Sequence, residues 1–345
     1  MSRKLKSKAI SSPDLFLDGA DMSGRESQIT KDISAKTNFQ PNTIIWRSTY
    51  YNTTKVGTLI ILGKFDGNLA VLKIQGARPE VNEEYMTEQF RLQNRSKLIR
   101  PPIIYDAAPW NKNVGYGHMI IEYVEGNEIL ESKVIQTRIN IRKFFCVYRE
   151  FINKCIPSKP WLQKPDKTDW TQVFNKSIKV SEKAIPDHPL RKKGDHALGL
   201  DAAKLLNKIY DNIEPEFTHG HFSTHDLKYQ GDEIVLFSNL YWKWRIPYFN
   251  AIYGYHWFIY ELENVKGIKP RDVDAQRKLW QGEIFAATGA DKDEEVKRLV
   301  NAALLERAIA GLLLDGLMVN EKRPIAKYMT DSTRDEVERL LDLLS

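Results

Sequence analysis

Residues 217–228 read Phe217-Thr218-His219-Gly220-His221-Phe222-Ser223-Thr224-His225-Asp226-Leu227-Lys228, and the reading of this stretch decides the fold. Three histidines and one aspartate fall within eight positions, and a strand-like run, Glu233-Ile234-Val235-Leu236-Phe237, follows within ten residues. Two chemistries use such a pattern. Clustered imidazoles can ligate zinc. A loop carrying histidine and aspartate beside a short strand can instead do acid–base work, since an imidazole has a reference pKa of about 6.5. The segments on either side separate the two.

A chain of 345 residues allows one large domain or two modest ones, with ample length for a buried core. Its composition, 42% hydrophobic and 28% charged, is that of an ordinary globular protein and does not mark a disordered or fibrous chain. No apolar run reaches the roughly 18 residues that a helical membrane span requires. The best candidate, 308–314, is short and bracketed by Arg307 and Asp315, so it reads as a buried helix. Arg3, Lys4, Lys6 and Lys8 have no apolar core behind them, and no secretory signal is read. Cys146 and Cys155 lie nine residues apart in a helical pattern, which places them on opposite helix faces and out of disulfide reach. A reducing, cytoplasmic location is therefore expected. The net charge of +6 permits attraction to phosphates without establishing it.

Residues 1–40, rich in Ser, Lys and Asp, read as a flexible basic extension with a short helix near 27–34. Residues 41–125 read as a strand-rich unit of five strands and one helix. The strands fall at 43–46, 57–62, 69–74, 103–105 and 118–124, and Asp66-Gly67 marks a hairpin turn. The acidic helix is read over 80–97, ending before Pro101-Pro102. Residues 126–345 read as mainly helical, with helices at 142–154, 198–213, 249–265, 277–288, 294–318 and 331–344. Between the first two lies a polar Pro- and Lys-rich region, 157–193. The fold class is α+β, a small antiparallel-sheet unit joined to a larger helical one, with a cleft between them as the natural ligand site.

Five motifs in this order resemble the two-lobed kinase-like fold, in its aminoglycoside/choline phosphotransferase branch. Ala70-Val71-Leu72-Lys73 resembles the Val-Ala-Ile-Lys strand whose lysine holds nucleotide phosphates, and strand alternation puts Val71 and Lys73 on one face. Glu84 or Glu88 is the implied ion-pair partner, with spacing to Pro101 favouring Glu88. Glu122, Tyr123 and Val124 fall on the hinge, where backbone groups meet adenine. His219-Gly220-His221 and Asp226 fall on the His-Gly-Asp-x-x-x-x-Asn catalytic loop, within a segment spanning 217–247. Residues 234–238 fall on the strand that ends in a metal-binding Asp. Pro247 and the helix after it are similar to the branch's Asp-Pro-x-x-Asp helix start. The resemblance covers roughly residues 42–320. It implies ATP and Mg²⁺ as cofactors and a nucleotide or small molecule in the cleft, with a protein as a further candidate partner.

The departures change the expected activity. The catalytic Asp is His221 here, the metal-holding Asn is Asp226, and the second metal-binding Asp aligns with Ser238. The hairpin residues 47–55 contain no glycine to let backbone amides approach phosphates. Phosphoryl transfer depends on metal ions that neutralise the transferred charge, and serine is a feeble ligand for Mg²⁺. The expectation is a kinase-like protein with reduced or absent catalysis, a pseudokinase in effect. The alternative is an active ATP-dependent phosphotransferase acting on a small-molecule hydroxyl, with His221 as base and Asp226 holding metal.

Two further readings compete. His219, His221, His225 and Asp226 superficially resemble the His-x-His-x-Asp-His signature of metallo-β-lactamase-like hydrolases. Two extra residues separate the second and third histidines, however, and the Asp follows His225 instead of preceding it. Trp242-Lys243-Trp244-Arg245 interleaves aromatics and cations as nucleic-acid stacking platforms do, but core aromatics with snorkelling cations are the plainer account.

Overall fold

The computed structural model describes residues 19–50, 53–131, 133–318 and 321–345. Helix α1 (Glu26–Ser34) precedes three strands, β1 (Phe39–Thr49), β2 (Val56–Phe65) and β3 (Asn68–Gln75). Asp66 at φ 49° and Gly67 at φ 84° make the β2–β3 turn, and two such left-handed residues are what a tight type I′ hairpin needs. Helix α2 (Glu83–Gln93), the two-residue β4 (Ile99–Arg100), β5 (Ile104–Asn111) and β6 (Tyr116–Glu122) follow. The five-stranded sheet runs β1-β2-β3-β6-β5, every neighbour antiparallel.

Strand alternation splits the sheet into two working faces. Ala70, Leu72 and Ile74 of β3 are buried in a core that includes Met22, Ile29 and Ile33. Val71 and Lys73 lie on the other face, only half-buried. Helix α1 lies in the stretch read as a flexible extension. Its apolar residues at four-residue spacing instead close the outer face of the sheet, and Arg47 of β1 ion-pairs with Glu26.

The rest of the described chain is helical with four short strands. Helix α3 (Arg138–Glu150) runs into one wider turn at Phe151–Cys155, and α4 (Trp170–Ala184) and α5 (Asp195–Ile209) come next. Strands β7 (Glu216–Thr218), β8 (Leu227–Gln230), β9 (Glu233–Leu236) and β10 (Lys243–Arg245) surround the histidine-rich stretch. Helices α6 (Phe249–Glu261), α7 (Pro270–Thr288), α8 (Glu294–Leu313) and α9 (Pro324–Leu344) complete the fold. Strand β4 pairs parallel to β9, which fastens the segment after α2 to the helical unit. An aromatic core binds that unit together, with Phe144 5.6 Å from Phe222 and 5.3 Å from Trp280.

Helix α4 interrupts the region read as polar and irregular. Trp170, Val173, Phe174, Ser177 and Ile178 recur at helical spacing and are all buried, and Asp169 caps the helix by accepting from Thr171 N at 2.9 Å. The many lysines of that region occupy the opposite face and mask the period. Trp242, Lys243 and Arg245 are buried, so the aromatic–cation run is core and not an exposed stacking platform. Cys146 is exposed and Cys155 buried, as opposite helix faces require. No helix among the described residues is long and apolar enough to cross a membrane.

If α1 is part of the core, Ile29→Ala and Ile33→Ala should each lower stability by about 2–4 kcal/mol in urea unfolding. Changes within about 0.5 kcal/mol, the scale of surface substitutions, would show that the helix rides loosely on the sheet.

Candidate functional site

Strand β7 delivers the chain to His219 and Gly220. Gly220 sits at φ 68°, and a Cβ there would lie 2.7 Å from both Arg245 Nε and Tyr241 O, so only glycine fits without displacement. Asn250 anchors the bend from α6. Its Nδ2 donates to Thr218 Oγ1 at 2.6 Å, and its Oδ1 accepts from Gly220 N at 3.1 Å. The helix-start position thus holds the loop through an amide.

The three histidines point in three directions. His219 is fully buried, packed edge-on against Phe151 and Trp242, and burial pushes its pKa down to about 3. It is a neutral structural ring. His221 stacks on Tyr241, with centroids 4.3 Å apart, and its Nδ1 meets Asp226 Oδ2 at 2.7 Å. His225 reaches Glu128 at 3.2 Å and Glu261 at 3.7 Å. Burial alone would lower the pKa of His225; the hydrogen bond and charge of Glu128, with Glu261, raise it instead. No group of three or more His, Cys, Asp or Glu among the described residues is arranged to hold a metal, so the zinc-hydrolase reading of His219, His221, His225 and Asp226 is corrected.

Asp226 is the centre of the site. Its Oδ1 accepts from Ser238 Oγ at 2.5 Å, and its Oδ2 accepts from Ser223 Oγ as well as meeting His221. Its backbone carbonyl also accepts from Phe237 N at 2.8 Å. Burial raises the carboxyl pKa, but the charge of His221 and the hydrogen bonds from His221, Ser223 and Ser238 overcome this and hold it at about 2. The structure therefore brings His221, Asp226 and Ser238 into one cluster.

That geometry bears on metal binding. A Mg²⁺ site needs carboxylate oxygens with lone pairs directed at the ion. Both Asp226 oxygens are already engaged, and the Ser238 hydroxyl is turned onto one of them. Neighbouring Asn239 faces inward, donating to Leu236 O at 2.8 Å and accepting from Trp242 Nε1 at 3.1 Å. This donor set does not fit Mg²⁺, and Asp226 is here the acceptor of a hydrogen-bond cluster.

The lysine of β3 has a different partner from the one expected. Lys73 Nζ lies 2.5 Å from Glu83 Oε2. Glu88, the favoured candidate, is exposed and bonded to Arg91 at 2.7 Å. The physical reason is helix phase. Met86, Thr87 and Phe90 are the buried face of α2, and Glu83 shares it at three-, four- and seven-residue spacing. Glu84 lines a small cavity with Lys73 and Glu83 without pairing with the lysine, while Glu88 is turned to Arg91. The positions of Met86 and Phe90 were visible in the sequence and would have singled out Glu83.

Tyr241, which no motif pointed to, joins the two halves of the site. Burial foremost, then the nearby carboxylates of Glu83 and Asp226, hold its hydroxyl well above the ordinary tyrosine pKa. The ring stacks on His221, with the charges of both Glu83 and Asp226 acting on its hydroxyl. At the hinge, Val71 pairs with Ile121, and Tyr123 and Val124 follow β6. The Glu122 side chain is structural: it takes two bonds from Arg100 and accepts from Ile103 N at 2.8 Å, which sets the path of the chain into β5.

With this geometry in view, solved structures identify the fold. A choline kinase from Cryptosporidium parvum Iowa II aligns with a TM-score of 0.58 at 12% identity, over 92% of this chain and 97% of that one. The aminoglycoside phosphotransferase APH(4)-Ia aligns with a TM-score of 0.55 at 8% identity, over 92% and 98%. A thermostable mutant of it, in ternary complex with ADP and hygromycin B, aligns at 0.54 and 9% identity, over 91% and 98%. The chain has the two-lobed, kinase-like α+β fold of these phosphotransferases. No protein-family model matches the sequence, and no curated protein matches it.

Because the Asp226 pKa is depressed in the folded state, its contribution to stability is present above the ordinary value of 3.8 and is lost as pH falls from there towards about 2. Asp226→Asn should therefore be less stable than the parent at pH 7, with the gap closing through that acid window. Circular dichroism melts of both proteins across the window measure it. A gap that stays constant with pH would contradict the assignment.

Proposed function

We propose that this protein is a catalytically reduced, kinase-like protein that binds a nucleotide or other small molecule in the cleft between its lobes, without metal-dependent phosphoryl transfer. The observation that carries the reading is the occupation of both Asp226 oxygens by Ser238, Ser223 and His221. In-line phosphoryl transfer relies on metal ions to neutralise the moving charge, and this loop directs no vacant carboxylate at such ions.

The binding half of the site keeps more of its character. Lys73 is held by Glu83 and retains further N–H donors for a ligand oxygen. Val71, Tyr123 and Val124 would line the side of the cleft that receives a planar group, with backbone at Glu122 to Val124 supplying hydrogen bonds. Glu83 takes the place of Glu88 as the lysine's partner. The ADP complex of the structurally similar phosphotransferase makes a nucleotide the first ligand to try.

One observation favours a second reading, a metal-poor phosphotransferase. Asp226 meets His221 through Nδ1, on a ring that is a quarter exposed and whose Nε2 would accept a proton in the neutral form. An imidazole held this way can act as a general base toward a ligand hydroxyl.

Thermal shift with ATP, in the presence and absence of Mg²⁺ or Mn²⁺, separates the readings. Stabilisation by ATP that does not need metal, reduced at least tenfold in apparent affinity by Lys73→Met, is the expected result. Stabilisation that requires metal, together with ADP release that His221→Ala abolishes, would establish the enzyme instead.

A further inference from the structure

We propose that Trp46 is a specificity-determining residue of the interlobe cleft, selecting a ligand with one flat ring and a single anionic group, such as a nucleoside monophosphate, against a polyphosphate. The inference rests on the cleft-binding function proposed above and narrows its ligand.

The register of the sheet puts Trp46 in the cleft. Cross-strand partners in an antiparallel sheet point to the same side. Trp46 of β1 pairs with Ile60 of β2, Ile60 with Lys73 of β3, and Lys73 with Met119 of β6, so the four form one row on the face that carries Lys73. The next residue along β1 checks this independently. Arg47 pairs with Glu26 of α1, which covers the outer face, and strand alternation turns Trp46 the other way. Trp46 is 51% exposed, a large ring presented to the cleft and not consumed by the core of the sheet. Leu62 and Val71, both half-buried, continue the apolar roof towards the hinge. Two strand spacings, about 10 Å, separate Trp46 from Lys73. A ring joined to one anion by a short linker bridges that distance, with the ring against the indole and Ile60 and the anion on the lysine.

The same face offers little to a longer phosphate chain. Each added phosphate asks for charged or N–H donors of its own. Lys73 is the only cation of its row and already shares its charge with Glu83. The next row towards the hairpin tip is Ser48, Thr58 and Gln75, which carries no charge. Backbone amides of the hairpin are spent within the chain. Tyr50 N donates to Lys55 O, Thr53 N to Tyr50 O, Lys55 N to Thr53 Oγ1 and Val56 N to Asp21 Oδ1. Tyr50 is itself buried, and its hydroxyl donates to Ala20 O at 2.9 Å, which fastens the hairpin to the segment before α1. An indole and an isoleucine thus stand beside Lys73, and those four amides have no bond left for phosphate oxygens.

Isothermal titration of the full chain with AMP and with ATP, in EDTA at constant ionic strength, tests the proposal. The unaltered protein should bind AMP at least as tightly as ATP. Trp46→Ala should weaken AMP by about tenfold or more, the scale of a lost base–aromatic stack, and ATP by clearly less. Trp46→Phe, which keeps a ring, should retain AMP binding. A merely structural role would move both nucleotides together, and that outcome overturns the inference, as does ATP binding tenfold or more tighter than AMP to the unaltered protein. Either result leaves the cleft-binding function standing, whereas binding of neither nucleotide removes that function and this inference with it. Should Trp46→Ala fail to fold, Trp46→Gln takes its place with the same expected outcomes.

Discussion

The cluster around the Asp226 carboxylate is the constraint on which the rest of this site depends. Three side chains from three places converge on it: His221 from the bend after β7, Ser223 from the turn that follows, and Ser238 from the end of β9. Hydrogen bonds to a charged group contribute about 1.5–3 kcal/mol each, and more is lost when a buried charge is left without them. The cluster therefore fixes the loop against the β8–β9 hairpin. The same bonds engage both oxygens of the carboxylate, which is the observation behind the proposed loss of phosphoryl transfer.

The scaffold around this point is divided between two cores with different tasks. The outer face of the five-stranded sheet is closed by α1, which leaves the inner face, with Val71 and Lys73, for the cleft. The helical lobe packs on large aromatics such as Phe222, Trp242 and Trp280, all fully buried. Phe222 and Trp242 flank the histidine-rich bend and the segment after β9, so the core supports the site directly. Buried Arg334 of this lobe is held by Asp195 at 2.6 and 3.0 Å.

Much of the architecture was legible in the chain. Strand periodicity around 57–74, the Asp66-Gly67 turn and the order lysine strand, hinge, histidine loop and short hairpin were enough to give a two-lobed kinase-like fold. Helix α4 was hidden because Lys176, Lys179 and Lys183 on its outer face dominate the composition. The helix near 27–34 is legible in the sequence, but its packing is not, because its few apolar residues only gain meaning against the sheet they cover. Glu83 was missed for want of a phase argument that Met86 and Phe90 already permitted. Tyr241 left no trace in any motif, because its role comes from where the chain turns after Ser238.

By itself, the sequence determined which residues occupy the loop, the lysine strand and the strand end, since local periodicity and order are written directly along the chain. The resemblance it carries places His221 and Ser238 where the family's motifs have carboxylates, which is an expectation from motif order. Only the tertiary structure decided what the remaining carboxylate does. Whether Asp226 faces an ion or faces its neighbours depends on the orientation of side chains brought together from residues 221, 223 and 238. Side-chain direction at such a junction is set by packing across the whole lobe, and no spacing within a single stretch can encode it.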